Sequence, residues 1–303
     1  RVAEEFLAVP RAASWLIGYQ DQIEADNKGR ADVTTDAAIA QLKVLAGQPF
    51  FLWVHYFDAH YPYIPPAGFA EQYDPNYSGS IDGSIDTVDA IQAGKLDPQG
   101  ADLARLKSLY QGELTFMDQQ LARLFSAIDG LNLSDNTVVA LTADHGEAFG
   151  EHPEMVEGVP FFHPHSLHNE EIHTPLLLRY PGQIKAGAVV QAPTQAIDIF
   201  PTLLDLAGLK VPDQNQGASL VRLLDGSDDG TQRATFSAMP DYTFTSLIVP
   251  GWKLVQNNPG GDVELFDLAH DPGETHDLGT AEPDIARQME AKVNDWMKAN
   301  NVQ

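Results

Sequence analysis

The 303-residue chain contains no cysteine. Disulfides, thiolate metal sites and a cysteine nucleophile are therefore excluded within it. It is also poor in cations: 18 Lys and Arg face 43 Asp and Glu, a net charge of −25. A field of that sign opposes non-specific binding to nucleic acid. No apolar run is long enough to span a bilayer. Residues 1–20 lack a basic start followed by an apolar core, so no signal peptide is visible there. The first residue is Arg1, and a processed or truncated product is expected.

What the chain does have is a globular composition. Hydrophobic residues make up 43% and charged residues 20%, enough for one large domain or a large one with a small companion. Thr34 or Thr35 is placed to cap a helix with Ile39, Leu42 and Leu45 on its apolar face. "FFLWVHY" from Phe50 reads as a strand covered on both faces. Residues 64–104 are rich in Pro, Gly, Asp and Ser and read as a long surface excursion. Leu106, Tyr110, Leu114, Met117, Leu121, Leu124 and Ile128 keep helical spacing up to Gly130. "TVVALTA" (137–143) and "LLLRY" (176–180) are further strand candidates, and residues 197–206 a helix.

Strands alternating with helices imply a mostly parallel sheet flanked by helices. After about residue 230 the texture changes. "TFSAM", "TSLIVP", "WKLVQ" and "VELFDL" are short strands of an antiparallel sheet. A last helix sets Ile285, Met289, Val293 and Trp296 on one face. The expected division is 1–232 for the α/β layer and 233–303 for a small subdomain of antiparallel sheet and packed helix.

Three clusters stand where open α/β sheets bind ligands, beyond the carboxyl ends of strands. Asp144 and His145 close the strand 137–143. A carboxylate suits a hard cation and a neutral imidazole can complete its shell, although a capping Asp beside an incidental His is the plainer alternative. Gly146 would let the backbone turn sharply behind them. His60 follows the Phe50 strand, where a lone histidine is more often structural. His163, His165, His168 and His173 crowd one short loop, and one or two of the four are expected to be functional. Glu147, Glu151 and His152 are assigned to the loop or to a supporting role.

Read in order, several pieces resemble the sulfatases of the alkaline-phosphatase superfamily. "PFFLWVHYFDAHYPYIPP" is similar to their strand followed by His-x-Pro-Tyr. "YQGELTFMDQQLARLFSAIDGLNLSDNTVVALTADHGEAFGEH" resembles their helix, strand and Asp-His-Gly-Glu segment. "HPHSLHNEEIHTPLLLRYPG", "DIFPTLLDLAGL" and "QGASLVRLLDG" resemble the elements that follow. "ELFDLAHDPGETHDL" is similar to their late Asp-Pro-x-Glu stretch.

The resemblance implies an alkaline-phosphatase-like α/β fold and hydrolysis of a small-molecule or carbohydrate sulfate ester. It makes Asp144 and His145 ligands of one divalent cation, usually Ca2+. His60 becomes the histidine that contacts the leaving-group oxygen or sulfate. His165 falls near the sulfate-holding lysine of the family, with His163 as the alternative register. The family's nucleophile, a formylglycine from a Cys/Ser-x-Pro-x-Arg motif, has no counterpart here, nor do two N-terminal metal-binding aspartates and a Lys-x-His pair. The nucleophile is thus expected outside this chain, with a missing N-terminal segment as a partner. Location in the periplasm or outside the cell is expected from the family. The alternatives are a phosphate or phosphonate ester hydrolase of the same superfamily, with two zincs if a phosphodiesterase, and a catalytically inactive fragment.

Overall fold

The computed structural model describes residues 13–17, 30–152, 160–163, 166–239, 242–258 and 261–301. The chain divides into two compact units, Arg1–Ser134 and Asp135–Gln303.

In the first unit, strand β1 (Ala13–Ile17) pairs in parallel with β2 (Phe50–Val54). Helix α1 (Ala31–Leu45) lies between them in sequence, as a parallel crossover requires. The helix starts ahead of the expected cap: Arg30 is its N-cap, and Thr34 and Thr35 lie inside its first turns. Asp32 does the work at this end, accepting from the Val33 amide at 3.1 Å and carrying negative charge at the positive end of the helix. Thr35 is buried and hydrogen-bonds the Tyr56 hydroxyl at 2.8 Å.

Strand β2 is covered on one face only. Phe51 and Trp53 are 42% and 54% exposed, so its continuous apolar run does not mean burial on both sides. Helix α2 (Ile85–Gln92) sits within the 64–104 excursion and is capped by Ser84, whose hydroxyl accepts from the Thr87 amide. Helix α3 (Ala101–Gly130) forms as the spacing predicted, but its buried stripe runs through Leu106, Leu109, Phe116, Leu124 and Ile128, and the expected Tyr110, Leu114, Met117 and Leu121 are only partly buried.

In the second unit, β3 (Val139–Thr142) pairs with β6 (Leu176–Arg179), and the pairing is antiparallel. This corrects the expectation of a mostly parallel sheet. A parallel return needs a crossover, usually a helix. Among the described residues between these strands the only helix is α4 (Asn169–Ile172), a single turn. The β1–β2 pair is the one parallel ladder among the described strands. The short strands β4 (Ala148–Phe149) and β5 (Phe161–Phe162) also pair antiparallel. Helices α5 (Ile199–Leu206) and α6 (Val221–Leu224) follow β6.

The carboxy-terminal sheet matches its expectation. Strands β7 (Thr235–Ala238), β8 (Phe244–Val249), β9 (Trp252–Asn257) and β10 (Val263–Asp267) form an antiparallel meander in the order β10-β9-β8-β7. Helix α7 (Pro283–Ala299) packs Ala286, Met289, Val293 and Met297 on Leu247, Leu254 and Leu265 of that sheet. Each of the larger side chains contributes roughly 1.5–3 kcal/mol by leaving water. Trp296 stacks on Phe236 with centroids 5.1 Å apart.

Candidate active site

Asp144, His145 and Gly146 leave the end of β3. The Asp144 carboxylate is 78% exposed, and its Oδ1 accepts from the His145 amide at 3.1 Å. His145 Nδ1 lies 2.7 Å from the Gly146 carbonyl oxygen. A carbonyl only accepts, so the proton sits on Nδ1 and Nε2 keeps its lone pair. That nitrogen is 3.8 Å from Asp144 Oδ1, too far for a hydrogen bond between them. It is a separation that two ligands of one ion adopt. Backbone orientation of the non-ligating nitrogen is also how metal-binding histidines are fixed. The pair fits as part of a divalent-cation shell; calcium needs six or more donors, mostly oxygens, so other groups must complete it.

Gly146 has a reason different from the one expected. Its φ is not in the left-handed region. A Cβ here would lie 2.0 Å from the Glu170 carbonyl oxygen, and the Gly146 amide donates to the Glu171 carbonyl at 2.7 Å. Glycine allows the turn that carries Asp144 and His145 to rest directly on the α4 backbone.

The β4–β5 ladder brings in His163. It pairs Ala148 with Phe162, so one step further along the ladder Glu147 faces His163. Their side chains meet there, Nδ1 to Oε1 at 2.8 Å, both nearly buried. The His163 ring lies against the His145 ring, centroids 3.7 Å apart. Asp144, His145 and His163 are thus gathered in one place, with Glu147 as the orienting acceptor. His165 lies outside the described residues.

His60 belongs to the first unit. Its Nδ1 is 2.6 Å from the Tyr61 carbonyl oxygen and its amide donates to the Phe57 carbonyl at 2.8 Å. Phe57 and Tyr61 flank the ring, with centroids at 5.5 and 4.3 Å. As at His145, the carbonyl accepts, so the proton sits on Nδ1.

A second polar cluster lies behind the Asp144–Gly146 turn, and sequence reasoning did not assemble it. His152 Nδ1 meets Glu170 Oε1 at 2.5 Å, and its Nε2 meets the Glu274 carbonyl at 3.1 Å. The Glu170 hydrogen bond raises the His152 pKa, against burial. Burial pushes Glu170 up, but its hydrogen bonds and the facing histidines outweigh that and hold it below its ordinary value. Lys253 donates to Glu274 Oε1 at 2.6 Å and to Asn169 Oδ1 at 3.2 Å, and burial pushes its ammonium pKa down while Glu274 opposes. Glu274 Oε2 accepts from the Asn169 amide at 2.8 Å, where α4 begins. The "DPGET" run carries Glu274; nothing in the alternation of β9 marks Lys253 as its partner.

Residues 10–209 match the family model described as Sulfatase, and residues 158–300 match N-sulphoglucosamine sulphohydrolase, C-terminal. Arylsulfatase K of Mus musculus is 30% identical over 205 residues, covering 63% of this chain and 36% of the relative. An arylsulfatase of Clostridium perfringens is 26% identical over 251 residues, covering 78% and 50%. Among solved structures, one in complex with its substrate D-glucosamine-2-N,6-O-disulfate superposes with TM-score 0.70 at 20% identity, covering 88% of this chain and 69% of that one. A phosphonate monoester hydrolase from Silicibacter pomeroyi superposes with TM-score 0.69 at 24% identity, covering 89% and 60%. These likenesses give the fold as mixed α/β. The chain spans 36% and 50% of the length of the two named relatives.

Proposed function

Because the chain belongs to the sulfatase family, we propose that it carries part of the active site of a sulfuric ester hydrolase acting on small-molecule or carbohydrate sulfate monoesters. The observation that carries the reading is the Asp144–His145 pair. It offers a carboxylate oxygen and an oriented imidazole nitrogen 3.8 Å apart at the end of a strand. In this reading residues 1–232 supply the catalytic layer and 233–303 the supporting subdomain.

Asp144 and His145 would hold one divalent cation, calcium in this proposal. When bound, it polarises the sulfate oxygens as a Lewis acid. His60, protonated on Nε2 with Nδ1 held by the Tyr61 carbonyl, gives its proton to the departing alkoxide. His163, anchored by Glu147, or His165 holds a sulfate oxygen. A cation beside His163 would make a small positive site within a chain of net charge −25. With no cysteine and no Ser-x-Pro-x-Arg in the sequence, the formylglycine nucleophile is supplied from outside these residues. Such an enzyme would act in the periplasm or outside the cell. The likeness to the phosphonate monoester hydrolase supports a second reading, a phosphonate or phosphate ester hydrolase on the same fold.

The test contrasts two substitutions in the active protein that contains this chain. Asp144→Ala should lower aryl sulfate turnover by orders of magnitude and recover partly in high calcium. His60→Ala should leave metal content unchanged, and its rate loss should grow across aryl sulfates of rising phenol pKa. An equal loss for every leaving group contradicts the acid role, and loss of the metal would make His60 a ligand.

A further inference from the structure

We propose that His152, His168 and Glu170 form a second cation site, one that takes a borderline transition-metal ion of the zinc class and uses neither Asp144 nor His145. These three side chains place one ligand atom each within 4.8 Å of one another. His168 supplies an independent observation. It is 2% exposed, and neither of its ring nitrogens has a hydrogen-bond partner. Each buried polar atom left in that state costs about 1–3 kcal/mol, and an unpaired group in a native interior calls for an ion or a water. If His168 served packing alone, a phenyl ring would fill the place without that cost.

The surroundings agree in charge and in chemistry. Glu264 Oε2 stands 3.6 Å from His168 Nε2. Lys253 is already matched by Glu274, so once the His152 proton that faces Glu170 is released, Glu170 and Glu264 bring two negative charges that a divalent ion would balance. Two imidazoles with carboxylates select zinc, nickel or cobalt over calcium, whose shell is built from oxygens.

One movement is required. The His152 and His168 rings are stacked 4.1 Å apart at 16°, so no ion lies in both ring planes at once. His152 donates from both nitrogens, to Glu170 and to the Glu274 carbonyl, so the ion takes the place of the proton between its Nδ1 and Glu170, and binding releases that proton to solvent. His168 is held at neither nitrogen, which leaves its ring the one able to turn toward the shared ligand position.

The experiment is a zinc titration of the purified, metal-stripped protein against a chromophoric chelator, repeated with Co2+ and its visible absorption. The wild type should bind one zinc equivalent that survives Asp144→Ala. His168→Phe and Glu170→Gln should each weaken that equivalent at least about tenfold and abolish the matching cobalt bands. Melting curves in chelator establish that the variants fold; if His168→Phe does not, the near-isosteric Glu170→Gln decides alone. Identical isotherms for wild type and folded variants would overturn the proposal and assign the zinc to exposed histidines such as His270 and His276. Loss of the equivalent in Asp144→Ala alone would also overturn it, and would leave the sulfatase reading standing.

Discussion

Lys253 and Glu274 meet at 2.6 Å with neither side chain reaching solvent. An ion pair so placed is costly to halve. Lys253→Met strands a buried carboxylate and should destabilise the protein by about 3–5 kcal/mol. The double variant Lys253→Met/Glu274→Gln removes the uncompensated charge while keeping an oxygen for the Asn169 amide. It should therefore be more stable than Lys253→Met alone, measured as the denaturant midpoint at unchanged slope.

The turn on which the candidate metal ligands ride depends on a missing side chain. Gly146→Ala puts a methyl group 2.0 Å from the Glu170 carbonyl oxygen, a backbone atom that cannot step aside. A loss of about 1–3 kcal/mol is expected, as for an overpacked interior. Because Asp144 and His145 precede this glycine, calcium affinity should fall as well. Calorimetric titration with calcium checks it; an unchanged affinity would mean that the turn does not set the ligands.

Stability should respond to pH through His152 and Glu170, read in chelator. The His152 pKa is raised by its Glu170 hydrogen bond. Its contribution is full below the unfolded value of about 6.5 and fades as pH rises through the higher folded value. Glu170 is lowered, so its contribution is full above about 4.3 and fades as pH falls through the lower folded value. The pair stabilises most between those two unfolded values. The melting-temperature gap between wild type and Glu170→Gln should be widest in that window and narrow toward pH 9. A gap that widens with alkali contradicts the assignment.

Legibility in the sequence followed the range of the forces. Helices α3 and α7 show helical spacing locally and were readable from it, although on α3 the buried face is turned toward Leu109 and Phe116. The carboxy-terminal meander was readable because short strands and turns alternate there. The β3–β6 pairing was not, since its direction depends on how the chain returns through residues 143–175. The Asp144–His145 pair stood out as adjacent donor types at a strand end. The partnership of Glu147 with His163 required the β4–β5 register, and that of His152 with Glu170 a fold over 18 positions. Gly146 was noticed for its flexibility, whereas its neighbour Glu170 supplies the reason for it.

The central claim is a sulfate ester hydrolase whose cation is held by Asp144. It is tested most directly by comparing kcat/KM for an aryl sulfate and for a phosphonate monoester of the same phenol, using the active protein that contains this chain and its Asp144→Ala variant. The account predicts that the sulfate is the better substrate and that Asp144→Ala lowers its turnover by orders of magnitude, with partial recovery in calcium. A preference for the phosphonate, or sulfate turnover indifferent to Asp144→Ala, would contradict it.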